Sequence, residues 1–133
     1  MPVDYAIAVR TAASFAEANA QIREALKAVG FGVLTEIDVQ STLREKLGEQ
    51  MEQYVILGAC NPPLAHQALS ADRTVGLLLP CNVVVREAGD CTIVEALDPR
   101  AIADISGQPL LKDIAEDAAA RLRAALDTLP PAR

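Results

Sequence analysis

Large aromatic side chains are scarce in this chain. Phe and Tyr occur twice each and Trp is absent, so the sequence offers few of the flat surfaces on which proteins stack bases or sugars. Apolar residues still make up 51% of the chain, and we expect a core of Ala, Val, Leu and Ile. Because a domain of this length buries roughly 65–70% of its unfolded surface, residues 1–133 should fold as one domain without a metal or disulfide.

Basic residues are outnumbered by acidic ones. The chain has 12 Lys and Arg against 18 Asp and Glu, a formal net charge of −6. A phosphate backbone is bound by clustered basic residues, so we exclude nucleic acid as a partner. The apolar run within residues 1–11 is too short for a membrane span or a signal-peptide core, and it includes Asp4. We therefore expect a soluble protein with no membrane partner.

Cysteine and histidine are also few. Three cysteines leave one unpaired in any disulfide scheme, and their spacing matches neither a secreted framework nor zinc knuckles, which indicates a reducing cytoplasm. A single histidine excludes all-histidine metal centres, and no metal site is predicted. The nucleophile-elbow and phosphate-loop motifs are absent. The GxG at residues 30–32 follows a helix, whereas a dinucleotide-binding turn follows a strand.

Strands and helices alternate in the first half of the chain. Ser14 and Glu17 form a capping box that starts an amphipathic helix, and Gly30 ends it. The continuous apolar segment at residues 53–59 predicts a central strand covered on both faces. The other elements predicted for this half are strands at residues 4–10 and 31–39 and a short helix at 41–47.

The second half begins with a helix. Asn61 is suited to the N-cap and Pro62 to the first helical position, so we predict a helix to about residue 71. Residues 77–79 and 83–87 are predicted to be extended, with Pro80 at a bulge or an edge. Asp98 and Pro99 then start a short helix, and a closing helix spans about residues 110–128.

A hairpin is predicted between residues 83 and 97. Gly89 and Asp90 form its turn. A two-residue loop sets the register so that the hairpin has one apolar face and one charged face. The apolar face carries Val83, Val85, Val94 and Ala96, and the other carries Arg86 and Glu95.

These elements predict an α+β domain of two layers. We expect a mixed sheet of about five to six strands packed against helices, in the approximate order β-α-β-β-α-β-β-α. The helix after residue 60 would then be a right-handed crossover between parallel neighbouring strands. Cys60 and Cys81, each at the end of an extended segment, would lie at the same carboxyl edge, about one strand spacing of 4.8 Å apart. Ligands bind at such edges in open sheets.

The two cysteines are the main candidates for chemistry. A helix N-terminus beside Cys60 favours its thiolate, although Pro62 and Pro63 remove two N–H donors that would otherwise face an anion. His66 lies one turn along the helix and is a candidate base. The candidate catalytic residues are Cys60, Cys81 and His66, and the candidate ligand-binding residues are Cys60, Asn61, Cys81 and Asn82.

Each candidate also has a structural interpretation. Free cysteine is usually a small buried hydrophobe, and for Cys60 and Cys81 packing is the more common role. Asn61 and Asn82 are suited to caps and turns, where they satisfy backbone groups. A lone histidine such as His66 is more often a surface or capping residue.

Two motifs carry a family resemblance, CNPPLAH at residues 60–66 and LPCNVVV at 79–85. With residues 30–33, 54–59 and 98–99, they make the chain similar to the bacterial domain of unknown function family 302. The resemblance implies a compact α+β domain that tends to form a homodimer and has no established activity. It also implies that Asn61 and Pro62 are architectural and that the thiol belongs to one branch of the family.

Three functions remain open from the sequence. The first, which we favour, is a non-enzymatic binding domain whose Cys60 and Cys81 site holds a sulfur species, a soft metal or a small ligand. The second is a cysteine-dependent thiol or redox enzyme, with Cys60 as nucleophile, Cys81 as resolving thiol and His66 as base. The third is a purely structural dimeric interaction domain. No cofactor is identified.

Overall fold

The fold is built on one five-stranded sheet. The computed structural model describes residues 5–133, so the predicted strand start at Asp4 lies outside the described residues. The strand order is β1-β5-β4-β3-β2, and every neighbouring pair is antiparallel. The strands are β1 (Ala6–Thr11), β2 (Gly32–Asp38), β3 (Tyr54–Cys60), β4 (Cys81–Ala88) and β5 (Cys91–Leu97).

Five helices and two 3₁₀ turns complete the described part of the fold. They are α1 (Phe15–Ala28), α2 (Val39–Leu47), α3 (Pro62–Ala71), α4 (Pro99–Ser106) and α5 (Lys112–Leu126), with 3₁₀ turns at Arg73–Leu78 and Pro109–Leu111. The predicted α+β class and the approximate order of elements are confirmed. Within the described part of the chain, no helix has the length and apolar character needed to cross a membrane.

The start of α1 follows from its sequence. The Ser14 backbone N–H donates to Glu17 Oε1 at 2.9 Å, and the Glu17 N–H donates to Ser14 Oγ at 3.2 Å. These bonds satisfy two donors at the helix start, and the backbone N–H of Ser14, followed by its hydroxyl, lowers the pKa of the Glu17 carboxyl. The predicted capping box is therefore confirmed, and α1 buries Ala18, Ile22 and Leu26 against the sheet.

The main core lies between one face of the sheet and the helices α1 and α5. Alternate residues of the strands supply the sheet side, where Val83 pairs with Ala96 and Val85 with Val94. The opposite face carries Arg86 and Glu95, joined by an ion pair of 2.8 Å, so the predicted hairpin register is confirmed. The largest fully buried aliphatic side chains in this core are Ile22, Leu26, Leu57, Val83, Val85, Val94, Leu122 and Leu126.

The direction of β4 differs from our prediction. We expected a mixed sheet with β3 parallel to the next strand, but the two strands are antiparallel. The reason is that residues 73–78 form a second helical segment, capped by Asp72, whose side chain accepts from the Thr74 N–H at 3.0 Å. This segment brings the chain back to the end of the sheet where β3 finished at Cys60, so β4 starts there and runs in the opposite direction. Residues 77 and 78, predicted to be extended, belong to it, and Pro80 precedes β4 instead of interrupting it.

Gly58 on β3 should not tolerate a side chain. A Cβ at this position would overlap the Thr35 hydroxyl and lie 2.9 Å from Cγ of Pro80. We expect Gly58→Ala to lower the free energy of unfolding by about 1–3 kcal/mol because the surrounding atoms must shift. Urea denaturation measures this change. Gly32→Ala is the matched control, since a Cβ at Gly32 meets no atom within 4 Å; equal stability of the two variants would contradict the prediction.

Candidate functional site

A cavity of about 380 Å³ lies at the end of the sheet where β3 finishes and β4 begins. Strand residues form one side of it, and α3, α4, α5 and the two 3₁₀ turns form the other. Of the residues that the structure describes, no charged side chain lines it. The apolar lining residues are Phe31, Leu34, Ala59, Leu64, Ala65, Ala68, Leu69, Val75, Gly76, Leu79, Pro80, Pro99, Ile102, Ala103, Leu111, Ile114, Ala115 and Ala118.

Four lining residues carry polar or soft atoms. They are Thr35, Cys60, Asn61 and Cys81. Thr35 comes from β2, Cys60 ends β3, Asn61 follows it and Cys81 begins β4, so all four belong to the sheet end of the cavity. The cavity is therefore weakly polar where the strands meet and hydrocarbon along its helical wall.

The two thiols reach this cavity from an antiparallel pair of strands. Cys81 lies opposite Ala59 in the β3–β4 register, which puts Cys60 one residue beyond that pair. Since successive side chains of a strand point to opposite faces, Cys60 and Cys81 approach the cavity from different sides of the sheet end. Both cysteines are free; Cys81 is buried and Cys60 is half-buried. We predicted that the two cysteines lie at one carboxyl edge of parallel strands, and this geometry is wrong because the strands are antiparallel. Both residues nevertheless line the same cavity.

Burial controls the chemistry of Cys81. Loss of solvent, and secondarily the nearby Cys60 thiol, raises the pKa of Cys81 to about 11. Its side chain packs in a second apolar cluster with Ala68, Val75, Ile102 and Leu111. Cys81 is therefore a neutral thiol at physiological pH, and the thiolate that acts as nucleophile or metal ligand is scarce.

Asn61 joins the sheet to α3. It is the N-cap of α3, and its Oδ1 accepts from the Leu64 N–H at 3.2 Å. Pro62 and Pro63 occupy the next two positions, so this helix start has fewer N–H groups to satisfy. The predicted helix from Asn61 to about Ala71 is confirmed.

Two of the predicted site residues lie elsewhere. His66 is exposed on α3 and does not line the cavity. Asn82 is exposed and pairs with Gly58, because the alternation that buries Cys81 and Val83 turns the residue between them to the other face. The structure therefore brings together Cys60, Asn61 and Cys81 but not His66 or Asn82.

A metal site has few possible ligands. Across residues 5–133, no group of three or more His, Cys, Asp or Glu side chains is arranged to hold a metal ion. From the described part of the chain, the cavity lining includes only the two cysteines as ligands of this kind. Structural zinc takes four protein ligands, so the cavity does not resemble such a site.

Sequence reasoning missed most of the cavity wall. Thr35, Val75, Ile102 and Leu111 come from four different elements, and no local spacing connects them. One signal was available for Ile102 and Leu111. Both are apolar residues in the part of the chain between β5 and α5, and each had to pack against something beyond its own short helix.

Comparison with known proteins agrees with this fold. The model of the family described as "Domain of unknown function DUF302" matches residues 7–129. This chain belongs to the DUF302 family. A crystal structure described as an uncharacterized conserved protein DUF302 from Bacillus stearothermophilus superposes with a TM-score of 0.88 at 34% identity, covering 94% of this chain and 98% of that one. No match was found among curated proteins.

The raised pKa of Cys81 predicts a loss of stability at alkaline pH. In the unfolded chain the thiol ionises near its ordinary value of 9.0, whereas in the folded chain it stays protonated to about 11. Below pH 9 the thiol is protonated in both states and the free energy of unfolding keeps its full value. As the pH rises from 9 to about 11, the unfolded chain loses this proton first, and the free energy of unfolding falls. The shift corresponds to about 3 kcal/mol in the free energy of unfolding.

The variant Cys81→Ala isolates this contribution. We expect the wild type to lose more unfolding free energy than Cys81→Ala between pH 9 and pH 11, measured by urea denaturation at each pH. Cys91→Ala is the control, since Cys91 lies at the hairpin and outside the cavity, and it should decline like the wild type. Parallel curves for the wild type and Cys81→Ala would refute the assignment.

Proposed function

We propose that this DUF302 domain is a non-enzymatic binding module that holds a small, neutral and largely apolar molecule in the cavity beside Cys60 and Cys81. The observation that carries the proposal is the cavity itself, about 380 Å³ in volume and without a charged side chain among the described residues that line it. Pockets for small molecules are concave, mostly apolar and have a few polar groups that orient the ligand. This cavity fits that description.

The lining also supports a neutral ligand over an ionic one. An ion transferred into hydrocarbon surroundings without a partner loses far more solvation than the contacts return. Among residues 5–133, neither a basic nor an acidic side chain lines the cavity to supply such a partner. Thiol groups are soft and polarisable and make favourable contacts with apolar molecules, so Cys60 and Cys81 suit the proposed ligand as neutral thiols.

The alternative functions have less support. A soft metal held by both cysteines needs two thiolates, and the pKa of Cys81 near 11 opposes ionisation of one of them. A thiol enzyme with Cys81 as resolving thiol would also need Cys81 to ionise. Its proposed base, His66, is exposed and does not line the cavity.

Filling the cavity tests the proposal. Ala68 lies on the cavity side of α3 and is 7% exposed, so Ala68→Leu places three more carbon atoms in the ligand space. With the uncharged fluorophore N-phenylnaphthylamine as probe, we expect saturable binding at one site per chain and roughly tenfold weaker binding by Ala68→Leu, about 1.4 kcal/mol.

Gln67→Leu is the matched control, because it adds the same side chain at the exposed neighbouring position of α3. This variant should bind the fluorophore like the wild type. Absence of saturable binding by the wild type, or equal loss in both variants, would count against a ligand in this cavity.

We also propose that the domain forms a homodimer through β2 and α2. β2 is an edge strand of the described sheet, so one row of its backbone groups has no partner strand among residues 5–133. α2 contributes no buried residue. Three large apolar side chains are exposed on these two elements, Leu34 at 68%, Ile37 at 51% and Leu47 at 68%. An exposed apolar edge strand is prone to pair with another chain, and a twofold dimer would cover it on both copies.

A charge on β2 tests this dimer. We expect Ile37→Lys to shift the sedimentation coefficient from dimer to monomer, because the lysine would place a charge in the apolar surface that the dimer covers. Leu77→Lys is the control, since Leu77 is 84% exposed but belongs to the 3₁₀ turn on the other side of the cavity. If Leu77→Lys dissociates the dimer and Ile37→Lys does not, the proposed interface on β2 and α2 is wrong.

A further inference from the structure

We infer that the cavity takes a hydrocarbon chain end first, that the chain enters between β2 and the 3₁₀ turn at Arg73–Leu78, and that Ile102 and Leu111 at the closed end limit its length. The inference rests on the proposed function and specifies its ligand class. The ligand would be a neutral straight-chain molecule with a small polar group at the end that stays at the mouth of the cavity.

The exposure of the lining residues is the first argument. Three of the described residues that line the cavity are exposed to solvent, Leu34 and Thr35 on β2 and Gly76 on the 3₁₀ turn. Leu34 is 68% exposed. A lining residue with this exposure lies at an opening, so we place the mouth of the cavity beside β2.

β2 and the segment that follows this turn approach each other at Gly58. A Cβ at Gly58 would overlap the Thr35 hydroxyl and lie 2.9 Å from Cγ of Pro80. The Leu79 N–H donates to the carbonyl oxygen of Gly76 at 3.3 Å, which ties Gly76 to the residues just before Pro80. The exposed lining residues of β2 and of the turn therefore belong to one opening.

The opposite end of the cavity is closed. The lining residues from α4, α5 and the 3₁₀ turn at Pro109–Leu111 are buried or half-buried, and none of those that the structure describes is exposed. Ile102 is 7% exposed and Leu111 is 3% exposed. Both pack in one apolar cluster with Cys81, so a molecule that enters beside β2 meets hydrocarbon at this end.

The cavity crosses the end of the sheet between the mouth and the closed end. Leu34, Cys60 and Cys81 lie on β2, β3 and β4, which are successive strands, and two strand spacings are about 10 Å. Ile102 packs with Cys81 at the far end of this row. A linear chain can extend along the row, so its length determines whether its end reaches Ile102.

The polarity of the lining orients the chain. Thr35 is exposed and Cys60 is half-buried, so the polar and soft atoms of these residues lie toward the mouth. The hydrocarbon side chains of Ile102, Leu111 and Ala115 line the closed end. A polar group at the mouth keeps its contact with water, whereas the same group at the closed end would lose its hydrogen bonds. The chain therefore enters with its hydrocarbon end first.

Neutral alcohols of increasing length test the inference. The probes are the 1-alkanols from hexanol to tetradecanol, measured by displacement of N-phenylnaphthylamine. We expect each added methylene to tighten binding roughly fourfold until the chain fills the cavity. Carbon atoms beyond that length remain outside the cavity, so the affinity should stop rising at one chain length, which we call the length limit.

Two variants of Ile102 locate the limit. Ile102→Ala removes three carbon atoms from the closed end, and Ile102→Val removes one at a smaller cost in stability. In both variants the length limit should move to a longer alcohol, and further in Ile102→Ala. Leu34→Ala is the matched control, because it removes three carbon atoms at the mouth, and it should keep the length limit of the wild type.

The possible outcomes separate the inference from the proposed function. If the affinity of the wild type rises across the whole series, or if the length limit is unchanged in both Ile102 variants, the inference is wrong and the apolar cavity site stands. The same conclusion follows if Leu34→Ala moves the limit as far as Ile102→Ala does. If neither the fluorophore nor any of the alcohols binds the wild type, the proposed function itself fails.

Discussion

The antiparallel pairing of β3 with β4 is the constraint on which the rest of the candidate site depends. Ala59 lies opposite Cys81 in this register, and both side chains face the side of the sheet that the helices cover. The chain must then leave the sheet and return to the same end within residues 61–80. α3 and the following 3₁₀ turn make this excursion, and the space between them and the strands is the cavity.

Elements defined by local chemistry were predictable from the sequence. The capping box at Ser14, the N-cap at Asn61 and the hairpin turn at Gly89 each depend on a few adjacent residues, and each is found as expected. The hairpin also fixes which residues share a face, because a two-residue loop leaves only one register in which the apolar residues meet. The ion pair of Arg86 with Glu95 follows from that register.

The direction of β4 was not predictable in this way. Alternation of apolar residues is the same in a parallel and an antiparallel strand, so Val83 and Val85 indicate which face is buried but not which way the strand runs. Only the shape of the connection decides direction, and the short helical turn at Arg73–Leu78 resembled an extended apolar segment in the sequence. Cys60, Asn61 and Cys81 nevertheless line one cavity, because either direction brings the end of β3 near residue 81.

The same pairing determines what the thiols can do. In antiparallel strands the alternation that aligns Cys81 with Ala59 buries it under α3, α4 and the 3₁₀ turns, and this burial raises its pKa to about 11. Two exposed thiols at a carboxyl edge would have favoured thiolate chemistry; one buried thiol and one half-buried thiol beside hydrocarbon favour binding without reaction.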